Sequence, residues 1–192
     1  MDAVHTLLDE HRSLAAVLHG MLYLVREIRL YGAAPSFKVF HAMVYYIDAF
    51  IERFHHPKED AYLFRRLRLR FPDSTELIRQ LESEHRAGSE KIRLLEQTLT
   101  RYEEGGAPEF GAFAEAVQSY AAFHWNHMRV EEDQLFPLAR IHLTVDDWNE
   151  IAAAFAGQSD PLFDHTSTEH YDDLFRRVVN LAPAPIGVGP PG

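Results

Sequence analysis

One ten-residue phrase occurs twice in this chain. His55-His56-Pro57-Lys58-Glu59-Asp60-Ala61-Tyr62-Leu63-Phe64 aligns with His127-Met128-Arg129-Val130-Glu131-Glu132-Asp133-Gln134-Leu135-Phe136, and both read H-x-x-x-E-[DE]-x-x-L-F. Upstream of each copy stands a shorter echo, Glu10-His11-Arg12 and Glu84-His85-Arg86. The phrase recurs after 72 residues (127 − 55) and the echo after 74 (85 − 11). A tandem duplication that keeps four histidines and two carboxylates is hard to explain by packing alone. It is explained if each half supplies part of one two-metal site.

The rest of the pattern is helical. Apolar residues recur at spacings of three and four almost throughout, with no long strand-like alternation. A first helix is expected over about 2–31, ended by Gly32-Ala33-Ala34-Pro35, and a second from a Ser36 N-cap to about 70. Ser74 is placed to cap a third, with Ile78, Leu81, His85, Gly88, Ile92, Leu95 and Leu99 as its core heptad. A fourth runs from about 109 to 141. The fold class expected is all-α: an antiparallel up-down four-helix bundle over 1–141, with a short helical extension and a Pro/Gly-rich tail over 142–192. Thr144-Val145-Asp146-Asp147 resembles a capping box and opens a short helix to about 156; another is expected over about 167–181.

Residues four apart share a helix face, so His55 points with Glu59 and His127 with Glu131. Stepping from His55 gives Val44, Ile47, Ile51 and Leu63, a core stripe. His127 lies among Ala116, Tyr120, Phe123, Leu135 and Leu138, His11 among Leu7, Leu8, Leu14 and Leu18, and His85 on the heptad. All six polar groups therefore project into the interior. Two uncompensated carboxylates there would cost several kcal/mol each. Arg12 and Arg86 lie off the stripe and offer no internal counter-charge. Two dications would supply it. A nitrogen and oxygen set without sulfur suits iron, manganese or zinc. Bridging carboxylates favour a dinuclear centre, and terminal histidines with bridging glutamates favour iron.

Composition narrows the alternatives. The chain has 192 residues, no cysteine and a net charge of −10. Thiolate-held zinc, cysteine-held iron–sulfur clusters and disulfides are excluded. The acidic balance argues against nucleic acid and anionic membranes as partners. No apolar run reaches transmembrane length and no signal peptide is visible, so a cytoplasmic setting is expected.

The order His-x-x-x-Glu, with lone histidines on the other two helices, resembles the hemerythrin-like, or HHE cation-binding, family. The resemblance covers roughly residues 1–141. It implies a bundle around a non-haem diiron centre, oxo- or hydroxo-bridged, with His11, His55, Glu59, His85, His127 and Glu131 as ligands. Oxygen-carrying hemerythrins use five histidines; the repeat here supplies four. His124, one turn before His127, is expected beside the ligand shell or at its rim, with a role as fifth ligand as the alternative. The small ligand expected is O2, nitric oxide or peroxide, met as a sensor or in weak peroxidase- or catalase-like turnover. A non-catalytic iron-handling or ligand-binding module, and an iron-dependent regulator with a protein partner or in a homo-oligomer, are the other readings.

The remaining polar residues have plainer expectations. His56 shares a polar face with Glu52 and Asp60 and is expected in solvent, as are Glu132 and Asp133. His41 is expected in the core at the bundle's end, Asp48 is a candidate neighbour of the ligands, and Tyr62 and Tyr120 are packing residues. Pro57 is expected to kink the second helix. His165-x-x-x-Glu169 repeats the spacing by chance, outside the bundle.

Overall fold

The structure, a computed structural model, describes residues 3–156. It is helical, with no strand among the described residues. The first rod is α1 (Ala3–Tyr31), ended by Gly32 at φ 64°. The second starts as α2 (Phe37–Tyr46), widens into π1 (Ile47–His55), passes through α3 (His56–Lys58) and π2 (Glu59–Phe64), and finishes as α4 (Arg65–Arg70). The third is α5 (Thr75–Gly105), closed by Gly106 at φ 71°, a left-handed cap that only glycine adopts without strain. The fourth joins α6 (Phe110–Val130), π3 (Glu131–Leu135) and α7 (Phe136–His142). A further helix, α8 (Val145–Ala156), follows. The helix expected over 167–181, the tail and the His165/Glu169 pair lie outside the described residues.

Pro57 does more than kink the second rod. It has no N–H to donate, and its ring would meet the carbonyl four residues back in a straight α-helix. The turns on either side of it are wound wider, and the His56 N–H bonds the Ile51 carbonyl, five residues back. A wider turn holds more residues and rotates the register. Glu52, His55, His56 and Glu59 all become buried. The expectation that His56 faces solvent, read from an unbroken 3.6-residue period, is thereby corrected. His41 is corrected the other way: it is exposed, with its Nε2 2.6 Å from Glu103 Oε2. Asp48 pairs with Arg53 (2.6 Å) and does not face the ligands. Ser36 and Ser74 sit at helix starts without side-chain caps; Ser74 Oγ donates to the Phe71 carbonyl instead (2.6 Å).

Two apolar clusters fill the interior. One gathers Leu14, Leu18, Phe40, Met43, Ile47, Ile92, Leu95, Phe113 and Tyr120. The other gathers Leu7, Leu63, Phe64, Leu81, Leu135, Phe136, Ile151 and Phe155. On every rod the repeated polar residues fall between the two, as His11 does between Leu7 and Leu14. α8 belongs to the second cluster, because Ile151 and Phe155 are buried in it.

The start of α8 is closed as its sequence suggests. The Asp147 N–H donates to Thr144 Oγ1 (3.3 Å), and the Thr144 N–H donates back to Asp147 Oδ2 (2.9 Å). Arg70 Nε donates to the same carboxylate (2.8 Å), and Arg66 pairs with Glu150. Asp147→Ala removes a cap worth about 1 kcal/mol along with this ion pair. It should lower the melting temperature and speed limited proteolysis between 143 and 156, read by mass spectrometry of the fragments, with the cuts in the four rods unchanged.

Candidate metal centre

The polar layer is built twice, once from each half. Glu59 lies between the halves, with Oε2 3.4 Å from His55 Nε2 and 3.5 Å from His85 Nε2. Glu131 spans them the other way: Oε2 is 3.2 Å from His11 Nε2, and Oε1 is 3.5 Å from His127 Nε2 and 3.8 Å from His85 Nε2. Both carboxylates are fully buried. None of their four oxygens has a hydrogen-bond partner, and neither do the Nε2 atoms of His11, His85 and His127. Orphaned groups of this kind are costly in a protein interior. Here they converge: His11, His55 and Glu59 form one group with donor atoms within 4.8 Å of one another, and His56, Glu59, His85 and His127 form a second. The structure thus brings together all six residues singled out by the repeat, and adds His56.

The other ring nitrogens of the four repeated histidines are all engaged. His55 Nδ1 donates to Glu10 (2.6 Å), and His127 Nδ1 to Glu84 (2.9 Å). His11 Nδ1 donates to Glu132 (2.9 Å), and His85 Nδ1 to Asp60 (2.9 Å). A carboxylate on Nδ1 fixes the ring and leaves Nε2 for a metal, the usual arrangement around a metal-ligating histidine. It also accounts for the remaining letters of the repeat. The glutamate of each Glu-His-Arg echo holds the histidine of its own half's longer phrase. The acidic residue after Glu59 and the one after Glu131 each hold the lone histidine of the opposite half. The terminal phenylalanines follow the same crossing, since Phe64 stacks on His85 (5.4 Å between ring centres) and Phe136 on His11 (5.7 Å). Glu132 is therefore no idle surface charge, although its side chain reaches solvent. The signal for all four carboxylates was in the sequence: they recur at the same offsets as the ligands.

His124 lies elsewhere. It is fully buried, with Nε2 3.3 Å from Glu52 and outside both groups. Tyr120 donates to Glu52 (2.6 Å), so it is more than a packing residue; Tyr62 packs against the second apolar cluster.

Burial raises the Glu59 carboxyl well above its ordinary range, and the neighbouring Glu131 raises it further. Burial also pushes Glu131 up, but His127, His11 and His85 outweigh it and hold Glu131 well down. Burial opposes a charge on His11, yet the facing carboxylates of Glu131 and Glu132 raise it to about 9. Burial likewise opposes a charge on His85, and Asp60 and Glu131 raise it to about 9. The metal-free centre is thus a store of protons that a cation would displace.

A family model described as the hemerythrin HHE cation binding domain matches residues 2–139. The chain belongs to that family. No curated protein and no solved structure matches it. As a member of the HHE family the chain carries a cation-binding domain, and the converging orphaned donors fit such an ion.

Two outcomes follow for this centre. Glu84→Ala frees the ring of His127 and should weaken metal binding by about 10–100-fold, whereas Asp133→Ala should leave it unchanged. Competition with a chromogenic chelator measures both. The second outcome concerns pH. His11 and His85 have folded values of about 9 against an ordinary 6.5, so their contribution is fully present below 6.5 and lost as pH rises through about 9. Glu59, also raised, acts in the same sense. The melting temperature of metal-free protein should fall between pH 6.5 and 9, and that of metal-loaded protein should fall less.

Proposed function

We propose that the chain is a non-haem diiron protein of an antiparallel up-down four-helix bundle, residues 1–141, carrying the 142–192 extension. The order in which the rods meet the two apolar clusters supports that topology. α1 and α5 run from the Leu7/Leu81 cluster to the Leu14/Ile92 cluster, and the second and fourth rods run back. The observation that carries the functional reading is the set of four unpartnered carboxylate oxygens between imidazoles from all four rods. His11 and His55 would hold one ion and His85 and His127 the other, with Glu59 and Glu131 placed between the two sets. All-nitrogen and oxygen donors suit iron. An iron pair held by these residues would be able to supply electrons to O2, peroxide or nitric oxide.

The protein's own contribution is positional. Glu10, Glu84, Asp60 and Glu132 hold the rings, Phe64 and Phe136 cover two of them, and Leu7, Leu63 and Leu135 keep bulk water from one side. The repeat supplies two terminal imidazoles per ion, and His56 converges with Glu59, His85 and His127 as a fifth histidine. We assign the centre to sensing or turnover of a small ligand, in a cytoplasmic setting. A second reading, an iron-dependent regulator acting through a partner, is favoured by α8: its Phe155 ring stands edge-on to His55, 6.3 Å away. A change at the ligand would reach the extension directly.

Protein made in iron-rich medium should retain about two iron ions per chain, as six donor residues in a two-fold arrangement require. Glu59→Ala and Glu131→Ala should each lose most of that iron. A reproducible single zinc, with no iron uptake on loading, overturns the reading. Rapid mixing of the reduced protein with O2 should give a stable oxidised state. O2 uptake that reverses on degassing would instead make it a carrier.

A further inference from the structure

The rings of the centre are not all covered in the same way. Phe64 stacks on His85 and Phe136 on His11, each from a rod of the bundle. His55 is met differently. Among the described residues, the phenylalanine that meets its ring is Phe155, edge-on with 6.3 Å between ring centres, and Phe155 belongs to α8. α8 begins at Val145, whereas the match to the HHE family model ends at residue 139. One side of the centre is therefore closed by a helix that lies outside the matched bundle.

That helix is held unevenly. Its first turns are pinned by polar ties, Asp147 to Arg70 (2.8 Å) and Glu150 to Arg66. Its last six residues read Ile151-Ala152-Ala153-Ala154-Phe155-Ala156, without a polar side chain. Of these only Ile151 and Phe155 are buried. A helix end with two apolar anchors and no side-chain hydrogen bond opens locally at a fraction of the cost of global unfolding. One cation stands against the outer anchor. Lys58 Nζ lies 3.6 Å from the centre of the Phe54 ring and 5.3 Å from that of Phe155, and an ammonium is attracted to such ring faces. Lys58 precedes Glu59 on the second rod, so this contact ties the loose end of α8 to the rod that carries His55.

We propose that Phe155 is the gate to the His11/His55 half of the centre, that Lys58 is its latch, and that the small ligand enters when the last turn of α8 carries the ring aside. Phe155 would then be a specificity-determining residue of the centre, although it touches neither carboxylate. Moving it parts one ring edge and one cation–π contact from the second rod. Moving a rod would part the buried side chains of both apolar clusters. This entry belongs to the centre of the proposed function and rests on that reading for its ligand. The cover over His55 does not depend on which ion binds.

The test reads that cover directly. Metal-free full-length protein is treated with diethyl pyrocarbonate, which acylates imidazole nitrogen, and the rate at each histidine is followed by peptide mass spectrometry, with the exposed His5 as calibrant. Phe155→Ala should speed the reaction of His55 about tenfold or more and leave His85 and His127 unchanged. Lys58→Met should speed it by a smaller factor. Phe155→Leu keeps an apolar anchor, should fall between wild type and Phe155→Ala, and carries the test if Phe155→Ala does not fold. In iron-loaded protein, azide should associate faster with Phe155→Ala than with wild type. An unchanged His55 rate overturns the gate, because the ring is then reached from elsewhere. Equal acceleration at His55, His85 and His127 also overturns it, because the whole bundle has then loosened. A faster His55 with an unchanged azide rate overturns it as the ligand's entry. A protein that holds no iron pair would overturn the diiron reading, and the His55 rates would still decide the gate.

Discussion

Two buried carboxylates set the terms for this molecule. Glu59 and Glu131 lie at the centre of an otherwise apolar interior, and none of their oxygens is hydrogen-bonded. Packing cannot repay the cost of moving such groups out of water; a counter-charge or a bound proton must. The surrounding architecture serves that need. Four imidazoles are turned toward the pair, and each is turned by a further carboxylate behind it. The polar layer divides the hydrophobic core in two, so each rod must change from apolar to polar and back within about two turns.

The duplication solves this once and uses the solution twice. The two halves are interlocked by crossing contacts: Asp60 and Phe64 serve His85, while Glu132 and Phe136 serve His11. Neither half completes its own lone histidine. The site therefore exists only when the bundle is assembled, and an ion binding there couples ligand geometry to packing of all four rods. α8 adds a further tie, because the cluster that buries Phe155 and Ile151 also contains Phe64 and Phe136.

The symmetry is broken on one side. Pro57 has no counterpart in the second copy, where Arg129 stands at the matching position. The widened turns of π1, just before Pro57, match ordinary α-helix in the second copy; they carry Glu52 and lead into His56, both buried, and Gly88 and Tyr120 receive Glu52. A polar cluster around Glu52 grows from this local departure, on the rod where the repeat is least regular.

The sequence by itself determined the helical class, the six converging residues and their two-fold relation, because a helix converts a four-residue spacing into a shared face whatever surrounds it. The capping box at Thr144 was legible for the same local reason. What only the tertiary structure decided depends on partners far apart in the chain. His56 was misread because a proline changes the winding, and the period used to place it assumes constant winding. Spacing puts His124 beside the ligands and Tyr120 in the packing, but it does not reveal the partner they share, Glu52, which lies on another rod. Glu10, Asp60, Glu84 and Glu132 were visible as repeated letters, but a repeat does not say which ring each one holds. That is fixed by which helices touch, and long-range packing alone supplies it.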